Sequence, residues 1–398
     1  SALAAIAMVM AGFKWAKRER GEHFAIIFSF VTLTCVEVFR AAVACRLDMV
    51  LTACMVGAIY MLYDLDEHKQ RLRPLRYLAV IFLLSCATMT KGPVGTLLPC
   101  LIIGIYRLLR RRNFFATLGI LTAVALASLI LPAVWYYAAY MQGGDEFFDL
   151  MYEENIGRLT GTMSYDSHVN PWYYNFIVLS AGLLPWTLLM LGSLFAIRHK
   201  RQITLSNAAL LSLSAAVITI LFYCIPSSKR SVYLLPAYPF ICYGIASIID
   251  DRDTFAKLVR IFTWILAVIA ILVPIAFIAL HFVDIKGVNL APISWWQYVF
   301  VILPAVVGVA WAVNRHSAAG HLIATVWSVY LAYAAALMPA VLNPNSNKPE
   351  AARIDALAGE HDIITLGEMR FYTLNFYLND RMRSVGSLEE ASRYPAGT

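Results

Sequence analysis

Apolar runs recur along the whole of this 398-residue chain, and many reach the ~17–25 residues that a helix needs to cross a ~30 Å hydrocarbon core. A backbone in hydrocarbon must satisfy its own polar groups, which a helix does within a single segment. Only 14% of the residues are charged, against roughly 25% in soluble domains, and the mean hydropathy is +0.66. The expected fold class is therefore an all-α polytopic membrane protein. Twelve spans are placed at 1–13, 24–41, 48–63, 77–90, 93–109, 114–139, 174–197, 205–225, 232–249, 259–282, 296–314 and 321–341. Residues 1–13 read as the end of a helix. They are too short to span, lack an initiator Met, and precede their basic residues, whereas a secretory signal has the opposite order.

Let the connecting segments alternate sides. One side receives "KWAKRER" (14–20), "EHKQRLRPLR" (67–76), "RLLRRR" (107–112), "RHKR" (198–201), the 250–260 segment and "NRHS" (314–317), which together hold 19 of the 32 Lys and Arg. The other side has seven: Arg40, Arg46, Lys91, Arg158, Lys229, Arg230 and Lys286. The positive-inside rule makes the first set cytoplasmic. The net charge of +7 thus reflects membrane sidedness, and no nucleic-acid partner is expected. The seven cysteines lie in or beside apolar spans without CxxC or zinc-like spacing, so no disulfide framework is expected. Residues 1–341 form the expected transmembrane domain. From 342 onward the composition changes to that of a small, outward, soluble α/β segment, with helices at 349–358 and 368–378 and strands at 362–366 and 382–386.

The outward side also carries the longest expected inter-helix segment, 140–173, which holds most of "SYDSHVNPWYYN" (164–175). Candidate site residues gather on this side, each with a plainer reading. Asp48, in "CRLDMVLT" (45–52), is either a helix N-cap or an acid that takes a proton or orients an acceptor. Lys91, in "TMTKGPVG" (88–95), either snorkels at the interface or binds a lipid phosphate as a point charge. His168 is a metal ligand, a proton shuttle or a surface histidine; alone it makes no metal site, because zinc takes several protein ligands. Trp172 and Tyr174 suit an interfacial aromatic belt. In "SSKRSVYLLPAYPF" (227–240), Lys229 and Arg230 precede a helix on the sparsely charged side, against the dipole preference, which argues for an anionic ligand.

In order, "CRLDMVLT", "TKGP", "EENIGRL", "HVNPWYY", "AGLLPW" and "KRSVYLLPAYP" resemble the membrane glycosyltransferases of the GT-C class. The resemblance is to the protein O-mannosyltransferase superfamily and, within it, to the bacterial aminoarabinose transferases that modify lipid A. It covers roughly residues 1–345 and implies thirteen spans, so twelve plus one preceding helix. It also implies an acidic motif in a first outer loop upstream of Ser1, so the chain as given is expected to be inactive. By the same resemblance Asp48 is a catalytic-site acid, while Lys91, Arg158, Tyr233 and, more weakly, Lys229 bind the donor phosphate. His168 would hold a divalent metal, zinc or magnesium/manganese.

The implied activity is transfer of a sugar from a polyprenyl-phosphate donor to a lipid A-like lipid or a protein acceptor. It would occur at the outer face of the bacterial inner membrane, with inversion, among membrane lipids. A transporter or flippase would need a polar path at mid-membrane, for which Glu37 is the main candidate, and an inactive scaffold is the third reading. The sidedness is directly testable: an impermeant thiol reagent applied from outside is expected to label Ser167→Cys and to spare His199→Cys. The reverse pattern would overturn the outward assignment of 140–173.

Overall fold

The computed structural model describes residues 1–68, 73–157, 169–197, 205–251, 253–280, 294–313, 318–342, 346–359, 361, 363–366, 372–387 and 389. Every expected apolar run is helical. In chain order the helices are Ala2–Arg20, Glu22–Leu33, Val36–Val43, Asp48–Glu67, Arg73–Lys91, Val94–Leu109, Phe114–Tyr152, Tyr174–Gly182, Trp186–Ile197, Asn207–Cys224, Tyr238–Asp250, Ala256–Leu280, Gln297–Val313 and Ala318–Ala332. Among the described residues, six helical segments are long and apolar enough to cross a membrane, or eight if each of two bent pairs is one span. Val94–Leu109 and Gln297–Trp311 are apolar but shorter.

Three expected elements differ. The 24–41 run breaks into Glu22–Leu33 and Val36–Val43, bent by 69°, and the 174–197 run breaks into two helices bent by 110°. The two breaks satisfy each other. Val36 N–H, freed at the first, donates to the carbonyl of Leu184 at the second (3.1 Å). Trp186 Nε1 donates to Thr34 Oγ1 (3.1 Å). A break in an apolar medium persists only where protein partners take up the released groups. Third, the 114–139 helix does not end at the expected loop. It continues to Tyr152, interrupted at Gly144 (φ +57°), and passes into a π-helical turn at Glu153–Gly157.

By contacts the chain forms two compact units, Ser1–Leu266 with 315–326, and Ala267–Asn314 with 327–398. The composition change at 342 falls inside the second. In the first unit an aromatic cluster sits at the centre: Trp15 stacks on Tyr60 with centroids 4.6 Å apart and meets Phe28, Tyr63 and Tyr243 edge-on or tilted. One end of this unit gathers charges. Arg18 pairs with Asp64, Arg20 with Asp250, Arg107 with Asp66 and His68 with Glu19. Glu67 accepts from Tyr106 and Asn207. These residues belong to or flank segments assigned to one side by charge counting, and they do lie together.

The helices Arg73–Lys91 and Val94–Leu109 form a tight hairpin for local reasons. Gly92 (φ +79°) takes the left-handed conformation that closes a helix C-terminus, donating to Thr88 O (2.7 Å). Pro93 then starts the next helix with φ preset. Buried hydroxyls join this hairpin to Phe114–Tyr152: Thr88 with Thr96 (2.9 Å), Thr96 with Ser128 (2.9 Å), and Ser85 to the Ser128 carbonyl (2.8 Å).

In the second unit, Phe277, Val301 and Ala336 form a small core, and Gln297 Nε2 donates to Ala335 O (2.6 Å). The helix Lys348–Ala358 precedes a parallel pair of strands, Ile363–Leu366 and Met382–Val385, with Ile363 opposite Met382. Parallel neighbours require a crossover, which here includes the helix Tyr372–Tyr377. Ala351, Leu374 and Leu378 bury the junction. Arg381 staples it by donating to Asp355 and to the carbonyls of Gly359 and His361, each at 2.6 Å. The helix–strand–helix–strand order expected of the tail is found.

The hairpin gives a stability test. A Cβ at Gly95 would lie 2.4 Å from the backbone carbon of Ala87 and 2.5 Å from the Thr88 nitrogen, and neither atom can rotate away. Gly95→Ala is expected to cost about 1–3 kcal/mol by overpacking, read as a lowered melting temperature in detergent. Gly119→Ala, with nothing within 4 Å, serves as the control and should melt no lower than the wild type.

Candidate functional site

At the end of the first unit opposite the charge network, the chain brings Asp48, Lys91 and Tyr233 together. Asp48 is the first residue of its helix, but no side-chain cap forms there. Its carboxylate Oδ1 instead accepts from Lys91 Nζ. Asp48 and Lys91 thus pair with each other, a contact that neither the capping nor the snorkelling reading had included. Asp48 lies at the positive end of one helix and Lys91 at the negative end of another, so both dipoles favour the charges where they stand. The Lys91 ammonium also lies 4.2 Å from the centre of the Tyr233 ring, within cation–π range.

Tyr233 sits in a 3-10 turn, Ser231–Ala237, rather than in the first turn of an α-helix. Its ring tilts over Tyr223 (centroids 5.5 Å, 33°). A second ion pair anchors the turn: Arg40 grips Glu37 with two bonds of 2.9 and 2.6 Å and also donates to Ser231 Oγ (3.0 Å). Glu37, the acid the sequence placed within a span, is therefore part of this end. Its i,i+3 spacing to Arg40 was the available signal. Ser1 Oγ donates to Arg46 O (2.8 Å), which sets the first residue of the chain at the same end.

Lys229 is buried, 5% exposed. Its ammonium donates to Pro226 O (2.6 Å), and among the described residues no carboxylate pairs with it. Beside it, Ser228 Oγ is buried without a partner. A lone buried cation normally costs several kcal/mol unless paired, so this placement is unfavourable for folding alone. The start of the aromatic stretch lies directly on it: Val169 bridges Ser228, and Asn170 Nδ2 donates to Lys229 O (3.2 Å). Trp172 and Tyr173 are exposed, as interfacial aromatics are.

Arg158 and His168 lie outside the described residues, and with them the expected metal position. Among the described residues no three His, Cys, Asp or Glu side chains converge to hold a metal. The site therefore unites Asp48, Lys91 and Tyr233 in direct contact and adds Arg40, Glu37 and Asn170, which the sequence had not marked as its members.

No family model matches the chain. It is 26% identical over 289 residues to the undecaprenyl phosphate-alpha-4-amino-4-deoxy-L-arabinose arabinosyl transferase 2 of Proteus mirabilis, covering 71% of this chain and 51% of that protein. It is likewise 26% identical over 265 residues to an uncharacterised protein of Aquifex aeolicus, covering 65% and 50%. The chain thus spans about half the length of these relatives. The crystal structure of ArnT from Cupriavidus metallidurans bound to undecaprenyl phosphate superimposes with TM-score 0.75 and 21% identity, over 98% of this chain and 72% of that one. The resemblance carried by the six motifs is borne out, and the fold is the polytopic helical fold of ArnT.

The burial of Lys229 has a measurable consequence. Lys229→Met keeps the stem and removes the buried charge, so it is expected to leave the melting temperature unchanged or to raise it. A loss of several degrees would instead show that the cation supports the fold.

Proposed function

We propose that the chain forms the membrane part of a glycosyltransferase that moves a sugar from a polyprenyl-phosphate donor to an acceptor at the outer face of the membrane. The observation that carries this reading is the Lys91 ammonium, held between the Asp48 carboxylate and the Tyr233 ring. It stands at the sparsely cationic end of a chain with the fold of a structure bound to undecaprenyl phosphate. The relatives' name, an aminoarabinose transferase acting from undecaprenyl phosphate, supports the donor class, and the motif resemblance to aminoarabinose transferases that modify lipid A favours a lipid A-like acceptor at the bacterial inner membrane over a protein one.

The chemistry follows from the residue types. The acceptor oxygen attacks the anomeric carbon as the bond to the phosphate oxygen breaks, and polyprenyl phosphate leaves with the electron pair. A single displacement inverts that carbon. The leaving group is a weak base, so it needs cations placed beforehand more than a proton. Lys91 has three N–H donors, enough to keep Asp48 and still meet a phosphate oxygen. Lys229 and Arg158 are the further cations of this reading. A hydroxyl acceptor passes its proton to a carboxylate, for which Asp48 is the candidate; a phosphate acceptor is already anionic and needs orientation only. His168 is the proposed ligand of a divalent metal, which would add positive charge beside the leaving phosphate. Glu37 engages Arg40 at the same end, so it offers no support for a mid-membrane transport path.

The test is transfer of labelled sugar from a polyprenyl-phosphate donor by the intact protein in liposomes. Lys91→Ala is expected to weaken donor affinity by about ten- to a hundredfold, the range for a hydrogen bond to a charged group. Lys91→Arg should restore part of it through retained charge. Wild-type affinity and turnover in Lys91→Ala would end the reading of Lys91 as a donor-phosphate ligand.

A further inference from the structure

The last four carbonyls of a helix lack intrahelical partners, and at the end of Asn207–Cys224 one of them has an unusual one. Asn175 is 1% exposed, at the start of Tyr174–Gly182. Its Nδ2 donates to Tyr223 O at 2.8 Å. The helix ends at Cys224, just before Pro226, which has no N–H to extend the ladder. The chain beyond is held in its turn by Lys229 on the Pro226 carbonyl and by Asn170 on the Lys229 carbonyl. It then reaches Tyr233, whose ring returns to lie over the ring of Tyr223. A continuous line of contacts therefore runs from the Asn175 amide through the Tyr223 backbone and ring to the Tyr233 ring, and from there to the Lys91 ammonium.

We propose that Asn175 is a positioning residue of this site, fixing Tyr223 so that the Tyr233 ring stays beneath the Lys91 ammonium and presents it to a donor phosphate. Its buried location and short bond to a backbone atom suit such a role, since the amide touches no reacting group and acts only through the two rings. With the bond gone, the Tyr223 carbonyl is a buried acceptor without a partner, and relief comes by moving the end of the helix. The rings move with it, and Lys91 loses its aromatic face.

The proposal rests on the transferase reading only for the identity of the phosphate, so its first test needs no donor. The rate of acylation of Lys91 by a small amine-reactive ester, measured by peptide mass spectrometry in the intact protein and referenced to exposed Lys14, reports how well Lys91 is covered. Tyr233→Leu is expected to raise that rate roughly three- to tenfold, the range of a cation–π contact. Asn175→Ala should raise it by a similar factor, and the double variant no further, because both act through one contact. If Asn175→Ala does not fold, the isosteric Asn175→Asp replaces it; lowering the pH should then restore protection of Lys91 relative to Lys14, because a protonated carboxyl can donate to the Tyr223 carbonyl. Wild-type acylation of Lys91 in Asn175→Ala, or additive rates in the double variant, overturns the proposal. The affinity for undecaprenyl phosphate, measured in the same four proteins, should lose the same factor in both single variants and no more in the double. Should wild type itself fail to bind that lipid, the transferase reading falls while the acylation result still decides the role of Asn175.

Discussion

Two helices break in the same plane of the first unit, and the bond from Val36 N–H to Leu184 O joins the breaks. In water either break would be trivial, since solvent would take the freed groups. In hydrocarbon an orphaned backbone group costs several kcal/mol, so neither break is tolerable alone. Together they give Val36–Val43 and Trp186–Ile197 directions that a straight helix could not have. The first of these turns carries Glu37 and Arg40 to Ser231 and leads the chain into Asp48. The site thus inherits its geometry from a pair of defects that compensate one another.

The two ends of the first unit use charge differently. At one end, the acids are engaged by bases from neighbouring segments, as Asp64 by Arg18 and Asp66 by Arg107, which is what a structural end requires. At the other, Lys91 shares its ammonium between a carboxylate and a ring, and Lys229 is buried with, among the described residues, a backbone carbonyl as its partner. A buried ammonium held by a backbone carbonyl is poor for stability and suited to an anionic ligand. Departures from local consistency of this kind are where function is expected.

Much of this was legible in the sequence because the governing signals are local. Span length follows from bilayer thickness, the gathering of charges at one end from counting Lys and Arg, and the tail's helix–strand–helix–strand order from its own periodicity. The hairpin at 92–93 is spelled by Gly and Pro. The break at 183–185 had a signal in Pro185 that the surrounding apolar run obscured. The break at Thr34–Cys35 had none, since no Gly or Pro stands there and only Leu184 and Trp186, some 150 positions away, decide it. In the site, Asp48, Lys91 and Tyr233 stood out as charges or donors on the quiet side of the chain. Asn175 did not, because an asparagine among interfacial aromatics looks like any polar residue until the carbonyl it meets is known.

The hydroxyls that join Ser85, Thr88, Thr96 and Ser128 bear on how such a chain drifts over generations. Removing one partner of a buried hydrogen bond strands the other, whereas replacing both by apolar groups of similar shape is nearly neutral. Single steps away from this ladder are therefore uphill, while concerted ones are close to level. The coupling is tightest between 88 and 96: a lineage that loses the hydroxyl at 96 is under pressure to lose the one at 88 as well, whereas Ser128 keeps the Ala125 carbonyl and Ser85 keeps a backbone carbonyl whatever the others become.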